Sequence, residues 1–152
     1  MSETQLRLRP AQPQDVQAIS ECIAAAYEHW IPHIGQKPAP MLQDYAAVIQ
    51  TDHVVVAEQD GEIAGVLVLR ETSEGFLVDN VAVLPSRKGP GVGKALLVHA
   101  EREARKRGYT SLYLYTHERM AENIALYARV CYVEVERREE DGFRRVFMRK
   151  AL

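Results

Sequence analysis

Hydrophobic and polar residues alternate at Leu6-Arg7-Leu8-Arg9, a pattern that predicts a strand ended by Pro10. After Pro13 and Asp15, the apolar positions Val16, Ile19, Ile23 and Tyr27 fall at helical spacing, so a helix with one buried stripe follows. Pro32, Gly35, Pro38 and Pro40 then interrupt every regular pattern, and Trp30 to Pro40 reads as an irregular loop. A short helix is expected from Met41 to about Ile49. His53 to Glu58 and Ile63 to Leu69 are strands joined by a turn at Asp60-Gly61. Gly75 marks another turn, and Phe76 to Leu84 another strand. Both parities of that strand are largely apolar (Phe76, Val78, Ala82 against Leu77, Val81, Val83), which predicts burial on both faces beneath covering helices.

Pro85 stops this strand, and Val92 to Arg107 has the period of a helix ended by Gly108. Tyr109 to Tyr115 is a strand and Met120 to Val130 a helix. Cys131 to Arg137 and Phe143 to Lys150 form a last hairpin around Asp141-Gly142. The order β-α-α-β-β-β-α-β-α-β-β predicts an α/β fold of mixed type: a twisted, mostly antiparallel sheet of about seven strands with helices on both faces. Neither a repeat nor a low-complexity linker divides the chain, so residues 1–152 are expected to form a single domain.

Composition narrows the function classes. Hydrophobic residues at 47% and charged residues at 26% are ordinary for a soluble globular protein. No apolar run approaches the ~18–20 residues of a membrane span, and no secretory leader is evident, so no membrane partner and a cytoplasmic location are expected. Cys22 and Cys131 make neither a CxxC pair nor a disulfide framework. A net charge of -2 supplies no basic field for a nucleic acid, and the run Arg102, Arg105, Lys106, Arg107 serves the C-terminal end of a helix dipole.

The chemistry concentrates in Val81-Ala82-Val83-Leu84-Pro85-Ser86-Arg87-Lys88-Gly89-Pro90-Gly91-Val92-Gly93-Lys94. A central strand runs through a glycine-rich turn directly into an amphipathic helix. Unpaired N–H groups at a helix start, with the positive end of its dipole, bind anions. Glycines let those donors approach a pyrophosphate, and Arg87, Lys88 and Lys94 add positive charge. A Walker loop fails, because only three residues separate Gly89 and Gly93 and Ala95 stands where the magnesium-binding hydroxyl belongs. A dinucleotide GxGxxG fails as well, since Leu96 fills the third glycine slot and the preceding strands form a meander.

On these residues the chain resembles the Gcn5-related N-acetyltransferases (GNAT), whose coenzyme A signature is Gln/Arg-x-x-Gly-x-Gly/Ala after a strand ending AV-x-P. Ala82-Val83-Leu84-Pro85 matches the approach and Gly91-Val92-Gly93 the core. Lys88 departs from Gln/Arg, and Pro90 removes one backbone donor. A second signature, Asn123-Ile124-Ala125-Leu126-Tyr127, follows in the family's order. The resemblance extends over essentially the whole chain and is closest to small bacterial members.

The resemblance implies acetyl-CoA as cosubstrate, held at Val81, Ala82, Val83, Lys88, Gly89, Gly91, Val92, Gly93, Lys94 and Asn123. It implies a bulge that splays the strand near Val81 or Val83, where a backbone N–H would polarise the thioester carbonyl. It also makes Tyr127, one turn after Asn123, the general acid for the departing thiolate. Without the family, Tyr127 reads rather as a core aromatic of an amphipathic helix with Ile124 and Ala128. Gly is usual where Cys131 stands, so the turn after this helix is expected to differ.

Asp79, at the same parity as Val81 and Val83, is the first candidate base for the amine proton, and His117 the second. Tyr27, Trp30 and His33 beside the Pro-rich loop are candidates for the acceptor side or for packing on the core. No metal is expected, since Pro32 breaks any helix that would pair His29 with His33. The acceptor is read as a small-molecule or peptide amine, with a homodimer left open and an acyl-CoA sensor as the alternative function.

Overall fold

In the computed structural model, which describes residues 6–87 and 91–152, seven strands form a single sheet. They are β1 (Leu6–Pro10), β2 (His53–Gln59), β3 (Glu62–Thr72), β4 (Gly75–Val83), β5 (Ser111–His117), β6 (Val133–Glu140) and β7 (Phe143–Ala151), ordered β1-β2-β3-β4-β5-β7-β6. Only β4 and β5 run parallel; the other neighbours are antiparallel. The helices are α1 (Val16–Tyr27), α2 (Ile31–Ile34), α3 (Tyr45–Thr51), α4 (Val92–Lys106) and α5 (Ala121–Arg129). The expected mixed sheet is therefore the observed one.

Two apolar layers flank the sheet, because its central strands are apolar on both faces. On one face, Ile19, Cys22 and Ile23 of α1 and Tyr45 and Val48 of α3 pack on Val54, Val56, Val66, Val68 and Ala82. On the other, Val92, Leu96, Ala100 and Ala104 of α4, with Tyr127 of α5, cover Val55, Leu67, Leu69, Phe76 and Val78. Among the described residues no helix is long and apolar enough to cross a membrane.

Gly65 sets how closely α4 lies on the sheet. A Cβ there would stand 2.9 Å from Val92 Cγ1, 3.0 Å from Leu96 Cδ1 and 3.1 Å from the Ala82 carbonyl oxygen. Only a residue without a side chain admits that contact.

Three local expectations are corrected. Residues 30–40 are not irregular throughout: a helical turn at Glu28–Trp30 leads into α2, which Gly35 closes at φ 84°, and another turn spans Ala39–Leu42. Pro32 and Pro40 stand within the first two residues of their helical turns, where a missing N–H costs nothing. Helix α3 starts at Tyr45 rather than Met41, because Asp44 caps it by accepting the Ala46 N–H at 3.1 Å. Finally, β5 is displaced to Ser111–His117, since Gly108 terminates α4 with the Tyr109 N–H bonded to the Ala104 carbonyl at 2.9 Å.

The end of α5 repeats that arrangement without glycine. Cys131 takes φ 76° while the Tyr132 N–H reaches back to the Tyr127 carbonyl at 3.0 Å. The turn is thus the glycine type after all, held by a residue that is strained there.

Candidate active site

Strand β4 carries one more residue than β3 in the middle of their ladder: Val78 faces Leu69 and Asn80 faces Val68, leaving Asp79 extra. This bulge turns two successive side chains toward the α1 and α3 face. Asn80 Oδ1 accepts the Tyr27 hydroxyl at 2.7 Å, and its amide donates to Tyr45 Oη at 3.3 Å. Asp79 accepts from the Tyr115 hydroxyl at 3.2 Å and lies 3.5 Å from Arg70 Nη2. Val81 and Val83 pack on the opposite layer. Asp79 therefore does not share their face as simple alternation implied.

Beyond the bulge the two parallel strands separate. Pairing between β4 and β5 ends at Val78 and Leu114, although β4 continues to Val83 and β5 to His117. A cleft opens in this gap. Its walls include Val81 and Asn80 from β4, Tyr115 and His117 from β5, Asn123 and Tyr127 from α5, and Pro38 and Pro40 from the segment after α2. Tyr27, Asp79 and Arg145 also border it.

Electrostatics differ along the cleft. Burial raises the Tyr127 phenol well above its ordinary range, so the neutral, hydrogen-donating form is the one present at neutral pH. Its ring packs edge-on against Tyr132 with centroids 5.9 Å apart. Burial also raises the Asp79 carboxyl, an effect only partly opposed by Arg70 and by the Tyr115 hydrogen bond. Arg70 is itself held by two contacts to Asp52 Oδ2, at 2.7 and 3.1 Å. Burial, reinforced by the Asp79 charge, pushes Tyr115 up to about 12. The Arg145 guanidinium lies 4.4 Å over the Tyr115 ring.

At the far end of β4 the backbone supplies the site. Gly91 caps α4 at φ 88°, and the first helical bond is Ala95 N–H to the Gly91 carbonyl at 3.0 Å. The N–H groups of Val92, Gly93 and Lys94 precede that bond and have no acceptor within the helix. A Cβ on Gly91 would meet nothing within 4 Å, and one on Gly93 only Val83 Cγ2 at 3.5 Å, an ordinary contact. Internal packing therefore does not require glycine at 93. No acidic residue stands in this first turn. Lys94 is exposed beside it. Arg87 turns away, its guanidinium 3.3 Å from Gln59 Oε1 and 3.3 Å from Asp60 Oδ2.

The remaining candidates separate clearly. Lys88 and Gly89 lie outside the described residues. Asn123 is half-buried in the cleft, Ala82 is buried under α1, and Val92, the first residue of α4, is buried against the sheet. Tyr27 reaches the cleft, and burial raises its phenol well above the usual range. Trp30 is buried between His29 and His33, with ring centroids at 4.6 and 5.6 Å, and does not border the cleft. His33 is exposed. His117 borders the cleft, but its Nδ1 accepts the Arg119 N–H at 3.1 Å. Sequence reasoning missed Tyr115, Asn80, Arg70 and Arg145. The available signal was Asp79-Asn80 itself, two adjacent polar residues inside an otherwise buried strand.

Comparison with known proteins bears on this geometry. A GCN5-related N-acetyltransferase from Rhodopseudomonas palustris superimposes with a TM-score of 0.80 at 23% identity, covering 100% of this chain and 99% of that one. The ribosomal-protein-S18-alanine N-acetyltransferase of Escherichia coli gives 0.76 at 21%, covering 97% and 94%. PaiA N-acetyltransferase from Thermoplasma acidophilum, solved in complex with coenzyme A, gives 0.74 at 18%, covering 97% and 99%. At these identities the likeness establishes the fold. No curated protein sequence matches the chain. Residues 18–131 match the model of the Acetyltransferase (GNAT) family. That match spans well over half of the sequence, and by it the chain belongs to the GNAT family of acyl-CoA-dependent acetyltransferases.

Proposed function

We propose that this chain moves the acetyl group of acetyl-CoA directly to an amine, with the diphosphate on the first turn of α4 and the thioester in the gap between β4 and β5. One observation carries the reading: the gap passes through the sheet, with Tyr127 and Asn123 on the α5 side and Asp79, Tyr115 and Tyr27 on the α1 side. Donor and acceptor would thus enter from opposite faces and meet where the strands part.

The amine nitrogen forms a bond to the thioester carbon, the C–S bond breaks, and the thiolate needs a proton. Tyr127, neutral by burial, is the donor at the sulfur, a role typically worth ~10²–10⁴-fold. Beyond Val78, β4 stays paired with β3 but has no partner on the side facing β5, and N–H groups on that open edge are available to the developing oxyanion, each worth on the order of 10²–10³-fold. An alkyl ammonium titrates near ~10, so the acceptor must lose a proton before attack. Asp79 takes it, because burial makes its carboxylate a stronger base than an exposed one. A chain of carboxylate and hydroxyl (Asp79, Tyr115) leads from the cleft toward Arg70 at the sheet surface.

Thiol release from acetyl-CoA across small-molecule and peptide amines tests the proposal. Amine-dependent release, with acetylated amine recovered in equal amount, supports it. Saturable coenzyme A binding with no release for any amine would instead favour an acyl-CoA sensor.

A further inference from the structure

The far side of α4 holds a second cluster unrelated to the cleft. His53 opens β2, and His99 and Glu103 stand one turn apart on α4, over the same sheet face. One ring nitrogen of each imidazole and one carboxylate oxygen lie within 4.8 Å of one another. The two rings are nearly parallel, inclined by 9° with centroids 6.3 Å apart. His53 Nε2 and His99 Nε2 are both buried and have no hydrogen-bond partner. Buried polar atoms are normally satisfied, so two orphaned imidazole nitrogens beside one carboxylate need an explanation.

We propose that His53, His99 and Glu103 bind one divalent transition cation of the zinc class. Two imidazoles and a carboxylate are ligands that suit such ions, with water completing a tetrahedron. Bonds of about 2.0–2.1 Å would bring the ligand atoms to about 3.4 Å from one another, a contraction that side-chain rotation supplies. All three side chains are half-buried, so an ion can enter from solvent. Arg107 donates to Glu103 Oε1 at 3.2 Å and steadies the carboxylate, although its charge and that of Lys106 weigh against a cation. His53 comes from a different element than His99 and Glu103, and the expectation of no metal, built on His29 and His33, did not consider this group.

Such an ion would do structural work. Helix α4 rests mainly on β3, β4 and β5. A bond from His53 to His99 and Glu103 fastens the helix to β2 as well. Because α4 carries the open amides at its other end, the ion would steady the anion site from behind without touching it.

The experiment uses the full chain without a polyhistidine tag, stripped by chelator and titrated with Zn2+ in a calorimeter, with thermal unfolding followed in parallel. The expected result is one equivalent of zinc bound per chain and a zinc-dependent rise in melting temperature. His99→Ala and Glu103→Gln should each weaken binding at least tenfold and remove most of that rise, while His29→Ala leaves both unchanged. Cobalt substitution should give the visible absorption of a tetrahedral site. Where His99→Ala unfolds, Glu103→Gln alone decides, since it keeps the side-chain shape. Absence of stoichiometric binding, or binding that survives Glu103→Gln and His53→Ala unchanged, overturns the site and leaves a histidine pair that bonds only to itself or to water.

Discussion

Strand β4 serves two sites by different means. At its C-terminal end it leads the chain toward α4, whose first-turn backbone amides are the groups proposed to receive the diphosphate. At its middle, Asp79 and Asn80 meet side chains from α1, α3, β3 and β5. The first site is local in sequence and tolerates exchange of any side chain that leaves its amides open. The second depends on register, because one extra residue sets which way its carboxylate points.

Gly93→Glu strikes the first site hardest. A carboxylate over the open amides should cost several kcal/mol of like-charge repulsion against a diphosphate, a loss of roughly 10³-fold or more in acetyl-CoA affinity. Calorimetry checks it alongside an unchanged circular dichroism spectrum, since a side chain at 93 fits the fold. Retained affinity would end the assignment.

In the cleft, Tyr127→Phe should lower kcat by ~10²–10⁴-fold with little change in acetyl-CoA binding. Equal losses in both would reduce the phenol to packing. Asp79→Asn should lower kcat/KM by about 10²-fold. The pH profile adds a sharper sign. A base works only when deprotonated, and burial raises the Asp79 carboxyl, so the acid limb should lie above the ordinary carboxylate value near ~3.9. Arg70→Met removes a charge that favours the carboxylate and should move that limb further up, whereas Asp79→Asn should abolish it. A limb indifferent to both substitutions belongs to another group.

Stability predictions test the framework beneath both sites. Gly65→Ala forces a Cβ against Val92, Leu96 and the Ala82 carbonyl, and should cost about 1–3 kcal/mol in denaturant unfolding. Cys131→Gly relieves a left-handed backbone on an exposed residue and should gain about 1 kcal/mol.

The contrast between the sites also explains what the sequence disclosed. The turn from Val83 to Gly93 could be read directly, because glycines, prolines and a helix start are contiguous signals and the family signature lies on them. Tyr127 followed from the resemblance to the family's second signature, not from its spacing to Asn123 alone. The resemblance implied a bulge near Val81 or Val83, but it lies at Asp79; apolar alternation continues on either side of it, and only the β3 register reveals the added residue. Tyr115 escaped for a related reason: it looks like one of several strand tyrosines until β5 stops pairing with β4. Helical turns around Pro32 and Pro40 were hidden because proline reads as a breaker unless its place in the turn is known. His99 and Glu103 stand one turn apart on α4, but their third partner His53 lies on β2, and no local spacing joins it to them.

Gly65 carries a last implication. With α4 seated too near β3 for even one methyl group between them, the position of the helix start is set by its packing on the sheet. Under the proposed function, a coenzyme docking there would find the first-turn amides of α4 already in place. The ordering cost of association would then fall on the long flexible arm of the ligand instead of on the protein.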